Sequence, residues 1–234
     1  MLRLEDVHAG YGPTTVLRGF NLEVADKQTV AVLGRNGVGK TTALRAITGI
    51  LPLQRGTITF DGKDIRRLPV HERSRCGIAY VPQGRDIFPG LTVLDNLRVA
   101  AYGSRQRDWE ERLDAMFADF PVLAEKRNAR GGSLSGGQQQ ILALARALMT
   151  SPRILLLDEP SEGIQPSILD QIADTLRTVN EQRGIPVLLV EQNLDFVFRL
   201  ATRVHLVDKG QVVRELSTEE LLDDKELQHE YLGI

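Results

Sequence analysis

The sequence predicts an α/β protein whose parallel core is interrupted by an all-helical stretch. Three observations carry this. Residues 154–157 and 187–190 are continuous aliphatic runs, as expected of central parallel strands covered on both faces. The apolar run 29–33 feeds a glycine-rich loop that opens a helical pattern. Between Leu91 and Met149 the pattern is helical throughout.

The individual elements follow from local signals. Short β-rich runs open the chain at residues 2–7, 16–24 and 29–33. Residues 41–49 read as a helix closed by Gly49, the preferred left-handed stop. Residues 57–60 followed by Asp61-Gly62 give a strand and a turn, and 78–81 is a short strand broken by Pro82. Helices are expected around 92–102, 108–118 and 136–149. The last is apolar almost all round through Ile141, Leu142, Leu144, Ala145 and Leu148, which implies burial. Pro166 suits the first turn of the helix that joins the two aliphatic strands. Residues 204–207, the turn 208–210 and residues 211–215 predict a closing hairpin, and the tail 218–232 reads as helix. No internal repeat or low-complexity linker is present.

Composition excludes several classes. Charged residues make up 26%, hydrophobic residues 42%, and the net charge is −2. That balance is ordinary for a soluble domain and gives no sign of nucleic-acid binding. Cys76 is the only cysteine, so no intrachain disulfide can form, and a reducing cytosolic setting fits. No second Cys or patterned His makes it a metal ligand or nucleophile. Residues 1–5 lack the apolar core of a signal peptide. No apolar run approaches the roughly 18–20 residues a bilayer span needs, so any membrane role comes through a partner.

Three motifs carry chemistry. Gly34-Arg-Asn-Gly-Val-Gly-Lys40-Thr41 matches a phosphate-binding loop, after a strand and before a helix. Gly34, Asn36, Gly37 and Gly39 let backbone N–H groups wrap phosphates, and Thr42 follows in the same turn. Lys40 is expected to reach the β- and γ-phosphates, and Thr41 to offer its hydroxyl to Mg²⁺. Asp158 and Glu159 end a buried strand at the carboxyl edge of the sheet, where open α/β folds bind ligands. Asp158 is placed to hold Mg²⁺ and Glu159 to orient or deprotonate an attacking water. Between them lies Leu134-Ser135-Gly136-Gly137-Gln138. Taken alone, Ser135 with Gln138 reads as a capping box at a helix start. Flanked in this order by the other two motifs, it marks a specific machine.

In that order the three motifs identify the chain as resembling an ABC transporter ATP-binding subunit over essentially its whole length. The resemblance implies a P-loop NTPase fold of the ABC ATPase type: a RecA-like core with an antiparallel β part, and an inserted helical part. Residues 1–83 and 151–234 would form the core, and 84–150 the helical part, of one domain. It implies ATP and Mg²⁺ as cofactors, and two transmembrane permease subunits as partners. A second ATP-binding subunit would associate head to tail, identical or different, and a solute-binding protein would act indirectly. The protein would be cytoplasmic, held at the inner face of the plasma membrane by its permeases. By the same resemblance Gln83 contacts Mg²⁺ or the attacking water, and Tyr11 stacks on adenine. Ser135, Gly136, Gly137 and Gln138 would face the ATP held by the opposite subunit. Residues 84–96 would receive the permease's coupling helix, although Phe88 and Leu91 there read equally well as core.

Two departures narrow the resemblance. After residues 187–190 most of the superfamily places a histidine; here Glu191 is followed by Gln192, an amide that donates a hydrogen bond but cannot become cationic. Ser161-Glu-Gly-Ile-Gln165 also lacks the usual terminal carboxylate. Glu191-Gln192 resembles the ATPases of branched-chain amino-acid and urea importers. Gly34-Arg-Asn-Gly-Val-Gly, Arg130-Gly-Gly-Ser, the run 138–140 and Glu162-Gly-Ile-Gln-Pro-Ser167 look most like the urea type. The expected cargo is urea or a short amide, with branched-chain amino acids as the alternative and a non-transport ABC ATPase as the more distant one.

Overall fold

Two sheets organise residues 1–104 and 108–232, the part described by this computed structural model. In chain order the strands are β1 (Leu2–Tyr11), β2 (Thr14–Val24), β3 (Thr29–Leu33), β4 (Leu53–Phe60) and β5 (Lys63–Asp64). They continue with β6 (Ile78–Val81), β7 (Ile154–Asp158), β8 (Val187–Glu191), β9 (Arg203–Asp208) and β10 (Gln211–Ser217). The helices are α1 (Lys40–Thr48), α2 (Val70–Arg75), α3 (Val93–Ser104), α4 (Trp109–Asp119) and α5 (Pro121–Glu125). After a short 3₁₀ turn come α6 (Gly136–Met149), α7 (Pro166–Arg183), α8 (Leu194–Leu200), α9 (Thr218–Asp223) and α10 (Lys225–Leu232). One sheet is antiparallel, in the order β2-β1-β4-β5. The other runs β10-β9-β3-β8-β7-β6, parallel except for the β9–β10 pair.

The aliphatic runs explain why β3, β7 and β8 lie in the middle. Every residue of these three strands is buried. Alternation along a strand sends side chains to opposite faces. Ala31, Leu33, Leu155, Leu157, Val187 and Leu189 pack into one core with α3, α6 and α7. Val30, Val32, Ile154, Leu156, Leu188 and Val190 pack into the other, with α1 and the antiparallel sheet. Each large aliphatic side chain there contributes about 1.5–3 kcal/mol on burial.

Boundaries differ from the sequence reading where the pattern was irregular. β1 extends to Tyr11 because its polar stretch is absorbed by a bulge near Asp6, whose φ is 47°. Tyr11 therefore ends a strand, paired with Thr14, instead of sitting free between strands. The tail is two helices rather than one. Asp224 interrupts it, its carboxylate accepting the Leu227 N–H at 2.9 Å as the cap of α10. The short helices α2, α5 and α8 escape periodicity, although Asn193 caps α8 by accepting the Phe196 N–H at 3.1 Å. Among the described residues no helix is long and apolar enough to cross a membrane.

The far end of α1 is fixed by Arg73 of α2, which is only 2% exposed. Its guanidinium donates to Ala46 O at 2.7 Å and Ile47 O at 2.9 Å, and also to the carbonyls of Arg66 and Leu68. These bonds satisfy carbonyls that a helix end leaves unpaired. Replacing Arg73 by leucine is expected to lower the unfolding free energy by about 2–4 kcal/mol, since buried acceptors lose a charged donor. Urea denaturation measures this; a loss below about 0.5 kcal/mol would mean that those carbonyls find other partners.

Candidate functional site

The parallel order β3-β8-β7 brings three loops to one sheet edge: the glycine loop after β3, and the loops after Asp158 and after Glu191. They surround a cavity of about 860 Å³. Of the residues singled out from sequence, Tyr11, Asn36, Gly37, Gly39, Lys40, Thr41, Thr42, Gln83, Glu159 and Gln192 line it. Asp158 lies behind Thr41 at the floor, where the Thr41 hydroxyl donates to its Oδ1 at 2.9 Å.

The glycine loop folds as it does because two of its positions admit no ordinary side chain. A Cβ at Gly34 would stand 2.4 Å from the Val207 carbonyl oxygen of β9. Gly39, the residue before α1, has φ 111°, outside the range L side chains adopt readily. The loop then presents backbone N–H groups at the start of α1, an arrangement suited to phosphate. Lys40 is 4% exposed; its Nζ donates to Gly34 O at 2.7 Å and Arg35 O at 3.1 Å. The Glu159 carboxylate lies 3.7 Å away. Burial pulls the Lys40 ammonium below the ordinary lysine range, against the opposing pull of Glu159, Asp158 and Glu191.

Glu159 is held in a left-handed conformation, φ 47°, with its N–H bonded to Val190 O at 2.9 Å. Such a residue stores roughly 1 kcal/mol of strain. One carboxylate oxygen accepts the Gln192 amide at 2.8 Å, and the other the Gln83 amide at 3.4 Å. Gln192 also donates to Asn36 Oδ1 at 2.7 Å, and Gln83 to Glu162 at 3.0 Å. The carboxylate predicted to handle water is thus gripped by two amides from different loops.

Three participants were given no role at the site from sequence. Glu191 is 1% exposed and accepts the N–H groups of Ser161 and Gln192 at 2.9 Å each and of Asn193 at 3.2 Å. It ties the loop after β7 to the loop after β8. A carboxylate closing an all-aliphatic strand, as Asp158 does, was the available signal. Tyr80 of β6 donates its hydroxyl to Asp158 Oδ2 at 2.9 Å. Arg45 donates to the Tyr11 hydroxyl at 3.1 Å. Nothing in the local pattern marked either residue.

Ser135, Gly136, Gly137 and Gln138 are not among the residues around this cavity. They form the start of α6, with the capping box complete: Gln138 N–H to Ser135 Oγ at 3.3 Å, and Ser135 N–H to Gln138 Oε1 at 3.1 Å. A Cβ at Gly137 would meet Ile168 of α7 at 2.7 Å, so glycine lets the two helices close up there. Beside α6 a second cavity, about 1040 Å³, runs past β6 to α2 and α3. Exposed Ile50, Val70, Phe88 and Val99 line it, together with arginines that include Arg75, Arg85, Arg146 and Arg153. Phe88 and Leu91 are 41% and 38% exposed, so neither is core. The Arg146 guanidinium covers the Phe88 ring at 4.6 Å.

Oxygen donors fit a hard divalent cation at the floor of the first cavity. Thr41 and Asp158 supply a hydroxyl and a carboxylate there, and Mg²⁺ is commonly held by one or two carboxylates plus substrate phosphates. No group of three or more His, Cys, Asp or Glu able to hold a metal occurs among the described residues.

Known proteins resemble this chain along its whole length. A family model described as ABC transporter matches residues 17–162. A high-affinity branched-chain amino acid transport ATP-binding protein of Pseudomonas aeruginosa is 36% identical, over 100% of both chains. A probable branched-chain amino acid transport ATP-binding protein of Archaeoglobus fulgidus is 34% identical, over 100% of this chain and 99% of that one. Among solved structures, a dimeric ATP-binding cassette in a post-hydrolysis state with ADP and Pi superposes with a TM-score of 0.83. It is 26% identical and covers 93% of this chain and 99% of its own.

Burial pushes the Asp158 carboxyl above the usual carboxylate value, despite the opposing bonds from Thr41 and Tyr80. Between the ordinary aspartate value, about 4, and the raised one, the folded protein therefore holds more protons than the unfolded chain. Stability falls as pH rises through that window and stays reduced above it. Asp158→Asn removes the penalty. The ligand-free variant is expected to melt above wild type near pH 7, with the gain shrinking towards about pH 4. Thermal melts across that range test this; a variant melting below wild type at neutral pH contradicts it.

Proposed function

The chain belongs to the ABC transporter family and is an ATP-binding, ATP-hydrolysing cassette; on that premise we propose that it powers uptake of branched-chain amino acids. The observation that carries the cargo is end-to-end similarity, at 36% and 34% identity, to two proteins named for that transport. Those relatives give no support to the urea reading drawn from Arg130-Gly-Gly-Ser, the run 138–140 and the segment 162–167. The physical reason is simple. An ATP-binding subunit never touches the solute, so its loop variants record its own packing and partners, not the cargo.

In this reading the glycine loop and Lys40 hold the triphosphate, with Tyr11 against the base. Mg²⁺, when bound, neutralises charge on the β- and γ-phosphates; Thr41, Asp158 and Gln83 are the residues that would hold it. Glu159 takes the proton of the attacking water, and its grip by Gln192 and Gln83 fixes the carboxylate's direction. Gln192 supplies a neutral donor where a cation is commoner, so more of the phosphate charge falls to Lys40 and the metal. Ser135, Gly136 and Gly137, at a capped helix N-terminus outside this chain's own cavity, offer N–H groups to ATP held on a second cassette. ATP then joins the two subunits and hydrolysis parts them.

The arginine-lined groove beside α6 is the surface for the permease, which would keep this chain at the inner face of the membrane. Its exposed apolar side chains suit a helix, and its excess of arginine suits acidic side chains on that helix. Co-assembly of this chain with its permeases and solute-binding protein in vesicles tests the cargo. Leucine outside is expected to raise ATP hydrolysis severalfold while urea leaves it at the basal rate. Stimulation by urea alone would overturn the branched-chain reading.

A further inference from the structure

Between the phosphate cavity and the arginine-lined groove stands Tyr80, whose side chain faces the groove yet reaches the cavity floor with its hydroxyl. Asp158 is 2% exposed and has two carboxylate oxygens to satisfy. Thr41 donates to Oδ1 and Tyr80 to Oδ2, each at 2.9 Å. With both oxygens engaged from opposite sides, the carboxylate has one orientation. The Arg45 guanidinium, which donates to the Tyr11 hydroxyl at 3.1 Å, also acts by charge on the Tyr80 phenol.

We propose that Tyr80 is a positioning residue for the metal-binding carboxylate, its hydroxyl polarised by the charge of Arg45. A cation beside the phenol oxygen makes its O–H a stronger donor, and charge-assisted bonds are about twice as strong as neutral ones. Partners of ligating carboxylates typically control metal affinity by about 10–100-fold. Tyr80 acts through Asp158 and does not touch the nucleotide, so its signature is selective. Metal-dependent binding should suffer, and metal-free binding should not.

This inference rests on Asp158 holding Mg²⁺, and the test separates the two. Binding of a non-hydrolysable ATP analogue to the purified full chain is measured with EDTA and with Mg²⁺. The ratio of the two dissociation constants gives the tightening due to metal. Tyr80→Phe keeps the ring and loses only the hydroxyl; it is expected to cut the ratio about tenfold, with EDTA binding within about twofold of wild type. Arg45→Gln, at an exposed position safe for folding, is expected to cut it by a smaller factor, about threefold. With Mn²⁺ in place of Mg²⁺, the electron paramagnetic resonance spectrum of the complex should broaden in Tyr80→Phe. A wild-type ratio in Tyr80→Phe, or equal loss of binding with and without metal, overturns the inference. Asp158→Asn is the control: if it too keeps the wild-type ratio, the assignment of Asp158 to the metal fails first.

Discussion

The site exists only if β3, β8 and β7 lie side by side, parallel, and end at one edge. That arrangement brings Thr41 within 2.9 Å of Asp158, 117 positions away in the chain, and it seats Gly34 against the Val207 carbonyl. Both contacts leave little slack. If the register of β3 slipped by one residue, its buried side chains would change faces and the glycine loop would lose its anchor on β9. Two apolar cores, one on each face of the sheet, hold the register with far more energy than any polar contact at the edge. The antiparallel sheet and α1 press from one side, α6 and α7 from the other.

Charge bears on whether such a cassette works alone. Three carboxylates, Asp158, Glu159 and Glu191, gather around the buried ammonium of Lys40. A triphosphate entering this cavity adds more negative charge than Lys40 can balance. In the proposed reading the balance comes from Mg²⁺ at the floor and from a partner's helix N-terminus at the open side. In that reading the start of α6 suits the second task. Ser135 and Gln138 cap each other while the small residues Gly136 and Gly137 leave its N–H groups approachable. The capping box and the recognition motif are therefore one feature: the cap fixes the helix end that would meet the phosphate.

Much of the core and its edge was legible in the sequence. Continuous aliphatic runs announced β3, β7 and β8, and α6 keeps the predicted bounds at Gly136 and Met149 because its burial is nearly complete. The capping box at Ser135 could be read from spacing alone. What escaped depends on chain segments meeting. Tyr80 and Arg45 acquire their partners only when β6 is laid beside β7 and α1 is packed over the sheet. Glu191 looked like one half of a subfamily mark, whereas its burial makes it the tie between two loops. Short helices such as α2 and α8 lack the turns needed for a periodic signal, and the break at Asp224 hides in a tail whose leucines continue on both sides of it. The urea reading of the cargo gains no support from the relatives, and for a different cause: loop variants in a motor carry little information about what the motor moves.

The head-to-tail role of Ser135 is most directly tested on a background that binds ATP without hydrolysing it. Glu159→Gln with ATP is expected to elute as a dimer in size-exclusion chromatography. Adding Ser135→Arg should keep the protein monomeric while ATP affinity in the monomer stays within about twofold, since Ser135 lies outside its own cavity. A dimer that persists with arginine at that position, or ATP binding lost along with the dimer, would contradict the half-site reading.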